Sequence, residues 1–335
     1  MKKFIFMFLV AIAFTTIYSA ELDFFGFYQM DMIYDSSQTH MGDAVYFVKP
    51  TGGSDNDEFT FTARQTRFGF KTDKIYEDNS TLNTMFAVDF FGKNDADISP
   101  HVRLRHAFIQ YKNGDETFIM GQHNDLFSGL YPKSVDASGR LFINVGFRRP
   151  MFIYQKNSLS LAMARAYSLD AASEALTSLA ESPDFQFKYE LNKKLSLSGV
   201  FGKREIPGVR TDMYGISAEY SSKNISAEIY SGEALAGYFG SIGYDIKGAD
   251  AVKCSGGWIN YKTGNLSFGL GTQVNDNDTL AAGDRESNSM VFISKEIKVK
   301  PDFFVIPEIS YYKTGYKNAS DVEDIRFSLS SRFYF

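Results

Sequence analysis

Apolar and polar side chains alternate along much of the chain with a period of two. Between Asp23 and Asp35, every second residue is apolar or glycine, and the residues between them include most of the polar side chains. The same alternation recurs at 184–191, 195–202 and 325–335. A period of two places successive side chains on opposite faces of a β-strand. The chain is therefore predicted to consist of strands with one apolar and one polar face.

The connections between these strands alternate in length. The short ones carry residues typical of tight turns and centre on 113–115, 156–157, 192–194, 222–224 and 263–265. The long ones lie at 36–58, 92–101, 123–144, 169–183, 205–212, 276–285 and 315–324. Such alternation predicts an up-and-down barrel in which one rim carries the turns and the other carries the loops. Counting from both ends gives about sixteen strands, with 231–253 as one long sixth outer loop; eighteen strands is the alternative.

A closed barrel of this size is expected to lie in a membrane. Sixteen strands enclose a lumen too wide for side chains to fill, so the polar face must meet water inside and the apolar face must meet lipid outside. Closure also removes unpaired strand edges, which hydrocarbon does not tolerate. The chain is 16% aromatic, as the aromatic girdles of such barrels require. We predict an all-β fold, a transmembrane up-and-down antiparallel β-barrel; a pair of secreted β-sandwiches is the alternative.

The first twenty residues differ in character from the rest of the chain. Two lysines precede an apolar run from Phe4 to Phe14, and Ala20 offers a small residue at a cleavage position. This pattern predicts a secretory signal peptide at 1–20, with a short N-terminal anchor as the alternative. The remainder, 21–335, is predicted to form a single barrel domain.

Composition narrows the classes of function. The net charge of −5 argues against a protein that coats nucleic acid. A single cysteine excludes an intramolecular disulfide framework and a multi-cysteine zinc site. His40, His101, His106 and His123 have neither metal-site spacing nor a serine motif beside them. No enzyme activity, metal or cofactor is therefore expected, and the histidines are interpreted as residues of loops or the lumen.

Several segments resemble a known family. Residues 63–72 resemble the second strand of trimeric general porins. Residues 102–108, followed by 120–122, resemble a pattern of the DcaP-like porins, and 148–154 resemble the strand that follows it. The chain ends on Phe335 with alternating apolar residues before it, which resembles the C-terminal signal that the barrel-insertion machinery of outer membranes reads.

This resemblance to DcaP-like and trimeric general porins implies a homotrimeric channel in the bacterial outer membrane. It implies a preference for anions, dicarboxylates in particular, and a third loop at about 123–144 that folds into the pore. The expected partners are outer-membrane lipid, lipopolysaccharide, and small anionic or polar solutes. No nucleic-acid partner is expected.

Arginines concentrated in the first half of the barrel are the candidate selectivity residues. Arg103 and Arg105 alternate with Val102 and Leu104 and are expected to point into water. Guanidinium groups bind carboxylates through two hydrogen bonds and stay charged, so a stripe of them at a constriction selects anions. The predicted pore-lining arginines are Arg67, Arg103, Arg105, Arg149 and Arg165.

The neighbours of this stripe leave its effect open. Arg149 is preferred to Arg148 because adjacent residues of a strand face opposite sides. Asp125 and Asp136 of the third loop are expected to face the arginines and to create a field across the pore. The alternative is that the arginines pair with wall carboxylates such as Asp89 and select nothing.

Together these patterns predict a passive outer-membrane porin that admits small hydrophilic solutes and prefers anions. The alternative is a surface barrel that acts as an adhesin or receptor, or as a structural envelope protein. In that alternative the third and sixth loops block the lumen. This hypothesis is based on the length of the segments 36–58 and 231–253.

Overall fold

The structure is a computed structural model that describes most of the chain. The described residues are 21–50, 56–92, 100–136, 148–166, 168–170, 175–178, 182–275, 278 and 280–335. The predicted signal peptide, 1–20, and the 137–144 portion of the predicted third loop lie outside the described residues.

In the part of the chain that the structure describes, sixteen antiparallel strands form a closed barrel, which confirms the predicted fold and strand number. Two short hairpins lie in the loops outside the barrel sheet, Ser168–Asp170 with Ala175–Ser178 and Ile246–Lys247 with Asp250–Ala251. Consecutive strands pair along the chain, and β1 closes the barrel by pairing with both β2 and β16. The strands are β1 Leu22–Asp35, β2 Glu58–Thr62 and Arg67–Ile75, β3 Thr81–Asp89, β4 Arg103–Asn113, β5 Glu116–Asn124, β6 Arg148–Lys156, β7 Leu159–Ala164, β8 Asp184–Glu190, β9 Leu195–Ile206, β10 Val209–Ser221, β11 Ile225–Glu233, β12 Lys253–Thr263, β13 Leu266–Asn275, β14 Arg285–Lys295 and Ile297–Lys300, β15 Phe303–Tyr316 and β16 Val322–Tyr334.

The two rims of the barrel carry different connections. Connections that follow the even-numbered strands are short and lie at one end, the turn rim. Connections that follow the odd-numbered strands lie at the other end, the loop rim, and are numbered in chain order. Loop 1 is 36–57, loop 3 is 125–147 and loop 6 is 234–252.

The prediction of a long outer loop at 205–212 is wrong. β9 continues to Ile206 and β10 begins at Val209, so Pro207 and Gly208 alone connect them. Proline presets the first central position of a type II turn, and glycine tolerates the positive φ of the second. Gly208 has a φ of +81°. The connection is therefore a tight hairpin, and both strands extend further than their polar composition indicates.

The strand side chains divide into an apolar outer face and a polar inner face. On β1, Phe24, Tyr28 and Met30 are exposed outside, whereas Gln29 and Asp31 are buried inside. The same division continues around the barrel, where the exposed apolar residues include Ile109, Phe152, Phe201, Ile216, Ile229, Leu270, Val291 and Ile309. An apolar belt around a polar interior reverses the arrangement of a soluble protein and is typical of a membrane barrel.

Three loops turn into the barrel from the loop rim. Val45 of loop 1, Phe127 of loop 3 and Phe239 of loop 6 are fully buried. They pack in clusters with inward side chains of β9–β15. The interior of this half of the barrel is therefore filled by loop residues.

Among the described residues, no helix is long and apolar enough to cross a membrane.

Candidate constriction inside the barrel

Loop 3 leaves the end of β5 and runs along the inner face of the opposite wall. The backbone NH groups of Leu126 and Phe127 donate to the side-chain oxygen of Gln186 on β8, at 2.7 and 3.2 Å. The Ser128 hydroxyl donates to the carboxylate of Glu228 on β11. The first part of the described loop is therefore tied to β8–β11.

The next part of loop 3 continues along the same wall. The NH of Lys133 donates to Asn260 Oδ1 on β12 at 2.6 Å. The NH of Val135 donates to Glu308 on β15 at 2.9 Å, and the Val135 carbonyl accepts from Gln65 Nε2 at 2.8 Å. Loop 3 thus lies against β8–β15, called the loop-bearing wall below, and reaches the interruption of β2.

Carboxylates of the loop-bearing wall anchor loop 3. Glu219, Glu228 and Glu308 are buried, and each accepts a hydrogen bond from the loop. Glu219 also pairs with Lys188 at 2.6 Å. Buried carboxylates need such partners, because desolvation without them is costly. The acids of this wall therefore face the loop rather than the water of the lumen.

The two predicted loop aspartates also hold loop 3 in place. Asp125 Oδ1 lies 2.9 Å from Arg149 Nε of β6 and accepts from Gln186 at 2.6 Å. Burial raises the pKa of Asp125 above its usual range, against the lowering effect of the Arg149 guanidinium. Asp136 accepts from the Tyr312 hydroxyl of β15 at 2.6 Å. The structure thus joins Asp125 to one predicted arginine and places Asp136 on the loop-bearing wall.

Arg149 belongs to a buried ionic network that includes loop 6. Asp184 of β8 accepts two hydrogen bonds from Arg204 of β9, both at 2.8 Å, and one from the Tyr238 hydroxyl at 2.8 Å. Arg149 Nη1 lies 3.6 Å from Asp184 Oδ2, and Arg149 donates to the Gly237 carbonyl at 2.9 Å. The network therefore fastens loop 6 to β6, β8 and β9. Removing one partner of such a buried pair typically costs about 3–5 kcal/mol.

Loop 6 packs against loop 3 through aromatic rings. Tyr238 and Phe239 meet Phe127 edge-to-face, with ring centres 5.5 and 5.9 Å apart. Phe239 also stacks on Tyr230 of β11 at 3.9 Å. Aromatic pairs in these geometries add stabilisation beyond the area they bury. Loops 3 and 6 therefore form one packed unit on the loop-bearing wall.

Loop 1 joins this unit at the loop rim. Val45 and Val48 pack with Trp258 of β12 and Tyr312 of β15. The Val48 carbonyl accepts from the Tyr316 hydroxyl. Loop 1 thus covers β12–β15, next to the area that loops 3 and 6 cover.

A group of arginines lies on β2–β6, across the lumen from the loop-bearing wall. Arg103 donates twice to Asp89 of β3, at 2.9 and 2.7 Å, and Arg105 binds the same carboxylate. Arg148 is close enough to Arg67, Arg103 and Arg105 to be repelled electrostatically by all three. These four arginines and Asp89 are called the basic cluster; together they carry a net charge of three positive units.

A β-bulge in β4 builds the middle of the basic cluster. The register between β3 and β4 shifts after Ala87, so that Arg105 is the extra residue and both Arg105 and His106 lie inside the barrel. The ring centres of His106 and His123 on β5 lie 6.0 Å apart, and those of His123 and Phe108 lie 4.8 Å apart. Neither histidine was predicted as a site residue, and for His106 the reason is that regular alternation gives no signal of a bulge.

The structure divides the predicted arginine stripe. Arg67, Arg103 and Arg105 lie in the basic cluster, whereas Arg149 lies in the buried network of loop 6. Arg165 follows the end of β7 and is exposed at the loop rim. Arg148, which the alternation places on the other face, approaches the cluster because it is the first residue of β6, where pairing with β5 ends.

Several solved structures match this architecture over almost the whole chain. The outer membrane channel DcaP of Acinetobacter baumannii matches with a TM-score of 0.79 and 18% identity, covering 95% of this chain and 98% of that chain. The anion-selective porin from Comamonas acidovorans matches with a TM-score of 0.60 and 11% identity, covering 95% and 100%. The trimer form of OmpT, an outer membrane protein of Vibrio cholerae, matches with a TM-score of 0.57 and 14% identity, covering 95% and 100%.

No protein-family model and no curated protein sequence matches the chain. At these low identities, the structural matches establish the fold. The matched structures belong to the same group of proteins that the segments 63–72, 102–108 and 120–122 resemble in sequence. The chain therefore has the fold of the sixteen-stranded outer-membrane porins, and its predicted resemblance to the DcaP-like and trimeric porins is confirmed in its structure.

Proposed function

We propose that the protein is a porin of the bacterial outer membrane, through which small hydrophilic solutes diffuse passively with a preference for anions. The observation that carries this proposal is the division of charge inside the barrel. Glu219, Glu228 and Glu308 of the loop-bearing wall are bonded to loop 3, whereas the basic cluster lies on the opposite wall. A lumen lined on its uncovered side by permanent positive charge attracts anions and repels cations.

The basic cluster has groups that suit carboxylate solutes. Arg103 and Arg105 both pair with Asp89, as the alternative interpretation of the arginines expected, but the four arginines exceed this one carboxylate by three positive charges, which attract carboxylate solutes. The Arg103 side chain is 38% exposed, so a solute can reach it. The buried Nε of Arg148 has no hydrogen-bond partner among the described residues. A solute with two carboxylates can engage two arginines of the cluster at once, which supports a preference for dicarboxylates.

The outer surface supports the proposed location and assembly. Its apolar belt suits contact with outer-membrane lipid and lipopolysaccharide. The carbonyl and NH of Phe335 bond to Gly26 at 3.3 and 3.2 Å, so the proposed insertion signal also seals the barrel. We propose a homotrimer, in keeping with the family resemblance and with the trimer form of OmpT. We propose a channel that has no enzyme activity and needs no cofactor.

The burial of loops 1, 3 and 6 inside the barrel favours a second candidate function. Loop 6 alone buries Leu235, Tyr238, Phe239 and Ile242 completely. If these loops close the lumen, the protein is a surface barrel that acts as an adhesin, receptor or structural envelope protein. Conductance distinguishes this function from that of a porin.

We expect the purified, refolded protein to conduct in steps when it is reconstituted in a planar bilayer. Under a salt gradient, the reversal potential should show selectivity for anions, because the basic cluster lines the side of the lumen that loops 3 and 6 leave uncovered. Cation selectivity would retain the porin and reject the role of the cluster. Silence from a folded, heat-modifiable barrel would support the closed surface barrel.

We expect Asp89→Asn to increase the preference for anions. A unit charge about 8 Å from a permeating ion contributes about 0.5 kcal/mol in water, and screening in 0.1 M salt about halves this energy. Removing one negative charge favours anions and disfavours cations by similar amounts, so the permeability ratio should rise about twofold. The reversal potential measures this ratio. Asp115→Asn, in the exposed turn between β4 and β5, is the control and should leave the ratio unchanged.

A further inference from the structure

Lysines are concentrated on one half of the turn rim. They lie in or beside the turns that join β8 to β9, β10 to β11, β12 to β13, and β14 to β15. These seven residues, called the basic arc, are Lys193, Lys194, Lys223, Lys262, Lys295, Lys298 and Lys300. The same turns carry three acids, Glu190, Glu296 and Asp302. Because β8–β15 are neighbours in the barrel, the lysines form one continuous arc with an excess of positive charge.

The other half of the turn rim has the opposite balance. The residues in and beside the turns from β2 to β3, from β4 to β5 and from β6 to β7 include three lysines, Lys74, Lys112 and Lys156. They include five acids, which are Asp73, Glu77, Asp78, Asp115 and Glu116. Basic character is therefore a property of one side of the rim, not of its turns in general.

The lysines of the basic arc are available for binding. Six of them are exposed and Lys262 is half-buried. Within the described part of the chain, none of the seven forms an ion pair with a carboxylate. An exposed ammonium group on a flexible stem can reach a nearby anion while its methylene groups cover apolar surface.

Aromatic side chains place the arc at the depth of lipid headgroups. Tyr189, Tyr220 and Tyr261 lie on the outer face at the turn-rim ends of β8, β10 and β12, each within a few residues of an arc lysine, and are 47%, 36% and 45% exposed. Tyrosine girdles of membrane barrels lie at the boundary between hydrocarbon and headgroups. On β14, exposed Ile297 and Val299 alternate with lysines of the arc. Apolar and cationic groups thus meet at this level, as a lipid requires.

We infer that the basic arc binds the phosphate headgroups of anionic phospholipids in the leaflet that faces the turn rim. This inference rests on the membrane location in the proposed function. The lysines supply the cations for the phosphates, and the apolar residues beside them contact the acyl chains. Phosphate ions in solution share the headgroup chemistry but have no acyl chain, so a competition experiment separates the two sources. Each lysine near an anionic surface increases the affinity by about fivefold at most.

The test compares phosphatidylglycerol with phosphatidylcholine around the full-length mature protein in lipid nanodiscs. The arc variant is Lys194→Gln/Lys223→Gln/Lys298→Gln. The control variant removes three lysines from the other half of the barrel, Lys71→Gln/Lys74→Gln/Lys112→Gln. Native mass spectrometry measures which lipids remain bound after the nanodisc is removed.

We expect the wild type and the control variant to retain phosphatidylglycerol over phosphatidylcholine. The arc variant should lose this preference by about tenfold at low salt. Equal retention of both lipids by the wild type, or an unchanged preference in the arc variant, would overturn the inference. Displacement of the lipid by inorganic phosphate would show an ion site instead, and binding of a soluble anionic polysaccharide in place of lipid would also overturn it. Failure to enter nanodiscs would contradict the proposed membrane location itself.

Discussion

Replacement of all four arginines of the basic cluster by glutamine is expected to abolish the preference for anions. The change removes four positive charges and leaves Asp89, so the net charge of the cluster falls from three positive units to one negative unit. With about 0.5 kcal/mol per charge at about 8 Å, halved by screening, anions lose and cations gain about 0.9 kcal/mol each. The permeability ratio of anion to cation should therefore fall about twentyfold, which the reversal potential under a salt gradient measures.

Two further variants keep this result interpretable. Adding Asp89→Asn to the fourfold variant removes the carboxylate that would otherwise be buried without Arg103 and Arg105, and so protects folding. Arg165→Gln changes the same type of residue at the exposed loop rim and should leave the selectivity unchanged. A folded, conducting fourfold variant with the reversal potential of the wild type would reject the role of the basic cluster in selectivity.

The barrel could be predicted because the side chains of each strand alternate between an apolar surrounding outside the barrel and a polar one inside it. On β1, Tyr28 and Met30 face outward while Gln29 and Asp31 are buried inside, and the sequence alternates accordingly. The hairpin at Pro207–Gly208 was missed because proline and glycine are typical of both long loops and tight turns. The chemistry of those residues limits the turn geometry, but the length of a connection depends on how far pairing between β9 and β10 continues.

The site depends on contacts between residues far apart in the chain, which alternation does not encode. Sequence analysis identified Arg149 and Asp125 but could not show that they bind each other inside the barrel. It could not show that Tyr238 of loop 6 reaches Asp184 on β8. It also could not locate the bulge at Arg105, since a bulge is defined by the register with the neighbouring strand, which the sequence of one strand does not show.

Removal of loop 6 is expected to increase the single-channel conductance. The NH of Ala234 donates to the Val252 carbonyl at 2.9 Å, so the two ends of the loop are adjacent. Residues 235–251 can therefore be replaced by a two-residue Asn-Gly turn, which suits a hairpin between β11 and β12. The deletion removes Tyr238 and Phe239, which are fully buried against the loop-bearing wall, and returns their volume to water.

The deletion should not unfold the barrel, because the buried charges that contact loop 6 keep other partners. Arg149 keeps Asp125, and Arg204 keeps both of its hydrogen bonds to Asp184. Tyr238→Phe is the control: it removes the hydroxyl that donates to Asp184 and accepts from Gln186, costs about 1–2 kcal/mol of stability and should leave conductance unchanged. Unchanged conductance in the folded deletion variant would show that loop 6 does not narrow the path. Conduction by the deletion variant together with silence of the wild type would assign loop 6 the role of a plug, and the protein that of a surface barrel.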